Sequence, residues 1–282
     1  MKIEYICQSG KGLNYLNEDA VGFDNKGFFF VIDGATPLVS GHPYMDRYSD
    51  AAWFARETAN CLQANLHDTR RELSFILQNC MSYIKSLWAG PQEPSAMPSA
   101  GIAIIRFNED EDKVEYLGLG DCSVCIQQKS GFMNIYTEKR LSSLDSLAIH
   151  ELLKFSQERN MAPAACLPLI QSTLVKHRQL ANQRGGYSIL DPSGAGIQNA
   201  RKATLPSRDI SSFLLCTDGF EQLKNFLGIS LEKLFVKAKH DGLSSTTNLL
   251  FQLQEQDADF QKVPRFKMHD DSSAVFVDME EV

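Results

Sequence analysis

Four short stretches of this chain each set a carboxylate at the edge of an apolar run. They are Asn17-Glu18-Asp19-Ala20, Phe30-Val31-Ile32-Asp33-Gly34, Leu215-Cys216-Thr217-Asp218-Gly219 and His269-Asp270-Asp271-Ser272-Ser273. Strand-forming residues lead into the second and third and follow the fourth. A carboxylate at a strand end rides on a rigid scaffold, so several can be aimed at one point. Anions gathered this way repel and raise one another's pKa, and a divalent cation removes that penalty. The pattern reads as a metal site built from both ends of the chain. It also constrains the fold, because the first and last strands must then lie close together in one domain spanning 1–282.

Patterning supplies the rest of the architecture. Strands are predicted at 3–7, 27–32, 101–107, 113–119, 123–127, 132–136, 212–216 and 274–277. Asp24-Asn25-Lys26-Gly27 is turn chemistry. The acidic run 108–112 lacks the glycine and ligand spacing of a calcium loop and reads as a hairpin tip. A helix is expected from Ser49, with Trp53, Phe54, Ala55, Ala59 and Leu62 at helical spacing. A second follows a capping box of Thr69 and Glu72, with Leu73, Ile76, Leu77, Cys80, Met81, Ile84 and Leu87 on its apolar face. Helices are also expected near 231–238 and 248–253. Residues 141–185 look helical and polar, with a break at Ala162-Pro163, and read as a flap inserted over a site. Antiparallel strands with helices segregated outside them predict the α+β class.

Composition narrows the function. The formal net charge of −7 argues against nucleic acid as a partner. No apolar stretch is long enough to span a membrane, and the alternating start Met1-Lys2-Ile3-Glu4-Tyr5 lacks a signal-peptide core, so a cytoplasmic monomer is expected. Seven scattered cysteines make no disulfide framework. Cys122-Ser123-Val124-Cys125 falls in a strand, where residues three apart face opposite ways and cannot share an ion. Ser9-Gly10-Lys11-Gly12 lacks phosphate-loop spacing, Gly194-Ala195-Gly196 lacks a following helix, and no serine sits in a nucleophile elbow.

Each acidic motif alone is weak; their order is not. Asn-Glu-Asp, then Val31-Ile32-Asp33-Gly34, then Gly120-Asp121-Cys122-Ser123, then Thr217-Asp218-Gly219, then Asp270-Asp271 before a final strand resembles the metal-dependent serine/threonine protein phosphatases of the PPM type, the protein phosphatase 2C family, in its compact bacterial form. The resemblance runs from Lys2 to about Val277 and is loose across 141–205. It implies two antiparallel β-sheets packed as a sandwich with helices on both outer faces (αββα). It implies two Mg²⁺ or Mn²⁺ ions, which hard oxygen donors suit. Asp33 would bridge them, the Gly34 carbonyl would add a ligand, Glu18 would hold one ion with Asp19 in support, and Asp218 and Asp270 would hold the other. Asp121 would serve a third ion. A metal-activated water would then attack the phosphorus of a phosphoserine or phosphothreonine in a protein.

The departures from the family pattern are specific. Asn14 stands where an arginine commonly grips phosphate, with Lys11 nearby as a substitute; an amide cannot replace a guanidinium's charge. Ala35 stands where some members have a histidine, leaving His42 and His269 as alternative acids. Gln222 stands where an acid is common, with Glu221 beside it. Two other readings follow: a pseudophosphatase that acts as a binding module, and a phosphomonoesterase for small molecules.

Overall fold

Among the described residues, strands β1 (Lys2–Gln8), β2 (Asp19–Phe23), β3 (Phe28–Ala35), β4 (Ser99–Asn108), β5 (Lys113–Leu119), β6 (Ser123–Gln128), β7 (Met133–Tyr136), β8 (Arg201–Pro206), β9 (Ile210–Cys216) and β10 (Ser272–Asp278) form two five-stranded sheets. One runs in the order β1-β10-β9-β6-β7, the other β2-β3-β4-β5-β8, and every pairing between these strands is antiparallel. The computed structural model describes the chain apart from residues 11–15, 25–26, 36–37, 39–42, 46–48, 94–95 and 280–282.

Period-two alternation stacks these sheets. Phe29 and Val31 of β3 face Phe213 and Leu215 of β9 and Val275 and Val277 of β10 in a core between the sheets. Phe28, Phe30 and Ile32 face the other way, onto helices α1 (Asp50–Asn65) and α2 (Leu73–Leu87). On the opposite outer face, Leu214, Cys216, Ala274 and Phe276 lie against Phe235 and Leu250. These come from α8 (Leu231–Asp241) and α9 (Leu243–Glu255), which follow α3 (Lys139–Arg159), α4 (Pro163–Cys166), α5 (Gln171–Arg178), α6 (Asp218–Glu221) and α7 (Leu223–Leu227). The arrangement is the αββα sandwich of the α+β class. Cys122 packs between the sheets and Cys125 under the outer helices, as opposite strand faces require. No helix among the described residues is long and apolar enough to cross a membrane.

The expected strands are all present, and β2 and β8 are additional. Both are edge strands. β2 has five residues, one of them glycine, and begins on a site acid; β8 opens on Arg201-Lys202 and ends on Pro206, which an edge tolerates because it needs no inward N–H. The capping box is not formed. α2 begins one residue after Glu72, which makes no side-chain cap, and Leu87 is exposed while the other expected apolar residues of α2 are buried. α1 does start at Ser49, whose hydroxyl accepts from the Ala52 amide. The polar segment is helical, broken where Asn160 takes a left-handed backbone and Pro163 opens α4. It carries small cores of its own, one around Leu144, Tyr187 and Ile189 and another around Leu152, Cys166 and Ile170.

Phe213 is fully buried between the sheets, with its ring 5.1 Å from Phe29 and 6.0 Å from Phe107. Phe213→Ala is expected to cost about 3–5 kcal/mol in denaturant unfolding. Phe132→Ala, at a largely exposed position, should stay within about 0.5 kcal/mol. Equal effects would contradict this core assignment.

Candidate active site

The alternation that builds the core also delivers the acids. Asp33 continues the inward-facing row of Phe29 and Val31, and it pairs across the sheet with Asp19 of β2. Both emerge at the end of the sandwich, between the sheets. From the other sheet, β9 runs through Phe213 and Leu215 to Thr217 and Asp218, and the Asp218 amide donates to Asp33 Oδ2 at 3.3 Å. Asp270 precedes β10, and Asp121 lies in the turn between β5 and β6. The two sheets thus contribute opposite halves of one anionic cluster.

Two glycines make room for it. A side chain at Gly101, opposite Asp33 in β4, would sit 2.6 Å from the Asp121 carboxylate. One at Gly34 would sit 2.3 Å from the Glu18 carbonyl, which instead accepts the Gly34 amide at 3.1 Å.

The charges are felt strongly. Burial, then Asp218, Asp19, Asp121 and Asp270, pushes Asp33 well above the usual carboxylate range. Burial, then Asp121 and Asp270, pushes Asp218 up to about 7. Burial, then Asp145, pushes Asp121 up to about 6. Asp19 is raised as well, by burial and then Asp271.

Hydrogen bonds divide the acids by task. Asp19 Oδ2 accepts the Thr217 hydroxyl at 3.0 Å, a tie between the two sheets. Asp271 accepts the amides of Gly10 at 2.9 Å and Glu18 at 2.6 Å, stitching the final strand to the first motif. Glu18 is buried, and its Oε1 accepts the Ser49 hydroxyl at 2.5 Å. Asp270 Oδ1 accepts from Lys267 Nζ at 2.7 Å. Among the described residues, no three acidic, histidine or cysteine side chains are arranged to hold a metal ion. The donor chemistry nevertheless suits a hard cation, since the acids offer oxygen and are pushed toward the neutral form by burial and then by one another.

Other expected residues fall elsewhere. Lys11, Asn14 and His42 lie outside the described residues. His269 turns away from the cluster: its Nδ1 pairs with Gln254 Oε1 at 2.8 Å and its ring meets Phe251 edge-on. Gln222 accepts from Gln254 at 2.6 Å, and Glu221 is ion-paired with Lys224.

Two groups of residues were not anticipated. Asp145 of α3 reaches the cluster, and burial, then Asp218, pushes it up to about 7. Its signal was an acid directly beside the buried Leu144-Ala148-Leu152 stripe. Arg201 of β8 donates to the Gly120 carbonyl at 2.8 Å and to Glu138 at 2.6 Å. It therefore fixes both the turn bearing Asp121 and the residue that caps α3. These pieces frame a cavity of about 440 Å³, open between α3 and the segment 264–267, with Asp121, Asp145, Asp218 and Asp270 in its wall.

Solved structures similar to this chain include bacterial serine/threonine phosphatases. PstP/Ppp of Mycobacterium tuberculosis matches over 99% of this chain and 99% of its own, at 16% identity and TM-score 0.55. Stp1 of Staphylococcus aureus matches over 99% and 95%, at 12% identity and TM-score 0.53. The PstP catalytic domain in complex with two manganese ions matches over 98% and 97%, at 16% identity and TM-score 0.53. No family model and no curated protein matches the sequence. The chain has the protein phosphatase 2C fold, with an acidic cluster at the mouth of its sandwich.

The raised carboxyls make stability fall with pH. Their ordinary value is 3.8, and folded values reach about 6 to about 7, so in that window the native state holds protons that the unfolded chain has lost. Without divalent ions, Tm should fall between about pH 5 and about pH 8, and Mn²⁺ should raise Tm more at the higher pH. A Tm that holds level or climbs across that range would contradict the repulsion.

Proposed function

We propose that this chain is a Mg²⁺- or Mn²⁺-dependent phosphatase acting on phosphoserine and phosphothreonine in proteins. The observation that carries the reading is the set of mutually repelling, buried carboxylates at the junction of the two sheets. The shared fold with serine/threonine phosphatases supports it, one of them crystallised with two manganese ions.

Asp33 would hold both ions, with Asp218 and Asp270 on one side and Glu18 and the Gly34 carbonyl on the other. Asp121 and Asp145 stand together for a third. Divalent ions, when bound, lower the pKa of a coordinated water and neutralise phosphate charge. The chain itself places its carboxylates on strand ends and a short helix, which limits their motion and fixes where a phosphate can sit. Asp19 and Asp271 act beneath them, holding the strands in register through Thr217, Gly10 and Glu18. The wall formed by α3 narrows access from one side.

Purified protein should dephosphorylate a phosphoserine or phosphothreonine peptide only with added Mn²⁺ or Mg²⁺, and EDTA should stop it. Asp33→Asn and Asp218→Asn should each lower kcat/KM by more than about a hundredfold, and Asp145→Asn by about tenfold. Turnover that survives EDTA would defeat the proposal. Activity confined to small phosphomonoesters would make the chain a metabolite phosphatase, and failure to bind Mn²⁺ in calorimetry would make it a binding module.

A further inference from the structure

A phosphate monoester carries negative charge into a mouth lined with aspartates, where a cation of the chain's own would add to what bound ions supply. Among the described residues, three basic side chains line the cavity: Lys224, Arg265 and Lys267. Lys224 is already taken up by an ion pair with Glu221. Arg265 is buried in structural work. Its guanidinium binds Asp257 at 2.8 Å and the carbonyls of Val263, Gln254 and Asp257 at 3.0, 3.1 and 2.8 Å, and it lies 4.1 Å from the centre of the Phe260 ring. Arg178, which is not in the cavity wall, influences Asp121 and Asp145 and donates to Ser99 at 3.2 Å.

Lys267 differs from all three. Its Nζ is 2.7 Å from Asp270 Oδ1, its side chain keeps 37% of its surface exposed, and its charge is felt by Asp218. A lysine side chain is an ammonium at neutral pH, and the Asp270 carboxylate lies directly against it. An ammonium has three donors, and Asp270 engages one. The backbone on both sides of Lys267 is pinned, because Arg265 also donates to the Met268 carbonyl at 3.2 Å and Asp257 accepts the amides of Lys262 and Val263. The lysine therefore stands on a wrapped, braced segment, as a preorganised binding residue should.

We propose that Lys267 is the phosphate-gripping side chain of this cleft, its ammonium held over the cluster by Asp270 and donating to a non-bridging oxygen of the incoming phosphate. The inference rests on the phosphatase reading for its substrate, but its chemistry is that of phosphate binding and can be tested apart from turnover. A point charge on a four-carbon stem suits a site where the rest of the grip comes from metal ions. It also assigns the Asp270 carboxylate a second task, that of aiming the lysine.

The experiment compares wild type with Lys267→Met and Lys267→Arg, using orthophosphate as the probe. Orthophosphate is titrated calorimetrically into the Mn²⁺-loaded proteins, Mn²⁺ affinity and Tm are measured separately, and KM and kcat are read on a phosphopeptide. Lys267→Met should weaken orthophosphate binding and raise KM by about 10- to 100-fold, with Mn²⁺ affinity unchanged or tighter and Tm near wild type. Lys267→Arg should recover most of the phosphate affinity. Unchanged phosphate affinity in the methionine variant overturns the proposal, as does a loss explained wholly by weaker Mn²⁺ binding. Should the wild type fail to hydrolyse the peptide, the phosphatase reading fails, while the titration of wild type against Lys267→Met still decides the role of the lysine.

Discussion

Asp33 and Asp218 come from opposite sheets and carry like charges, and the rest of the molecule is arranged around holding them side by side. The Asp218 amide donates to the Asp33 carboxylate at 3.3 Å. Left alone, such a pair would force the sheets apart or give up a charge. The sandwich resists because its inner core is aromatic and closely interlocked, with Phe29, Phe107 and Phe213 in mutual contact between the sheets and Val31, Leu215 and Val275 packed nearer the acids. Apolar burial supplies the cohesion against which electrostatic repulsion at the mouth is set.

That opposition explains why so many polar groups near the mouth hold structure. Asp19 ties one sheet to Thr217 of the other, and Asp271 binds the amides of Gly10 and Glu18. Each satisfies a buried donor with a charged acceptor, a stronger bond than a neutral pair makes. Arg201 works as a charged donor, to the Gly120 carbonyl in the turn carrying Asp121 and to Glu138, the cap of α3. Acids that orient the backbone thus surround acids whose charge is exposed to the cavity. Among the described residues, Lys267 and Arg178 are cations that reach into this field.

The large outlines were legible because they rest on short-range regularities. Alternation marked eight strands, and the helical spacing of Trp53, Phe54 and Leu62 marked α1. Edge strands were harder: β2 is short and carries a glycine, β8 opens on two basic residues and ends on a proline, and both are strands because a neighbour pairs with them. Thr69 and Glu72 matched a capping motif that the chain does not use, since α2 starts at Leu73, where its apolar face meets the sheet. In the site, Asp33, Asp121, Asp218 and Asp270 were visible as acids at strand ends. Asp145 and Arg201 were not, because one lies on a polar helix and the other on an edge strand.

By itself the sequence determined which acids end strands, which faces of strands and helices are apolar, and that both chain ends contribute to one place. These are properties of residue type and spacing, and local geometry converts them directly into direction. Only the tertiary structure decided which carboxylates meet, which are taken up by Ser49, Thr217 or the amides of Gly10 and Glu18, and which cations stand over them. Those outcomes depend on how two sheets and a helical segment dock. Docking is a sum of many weak contacts between residues far apart in the chain, and no local spacing encodes it.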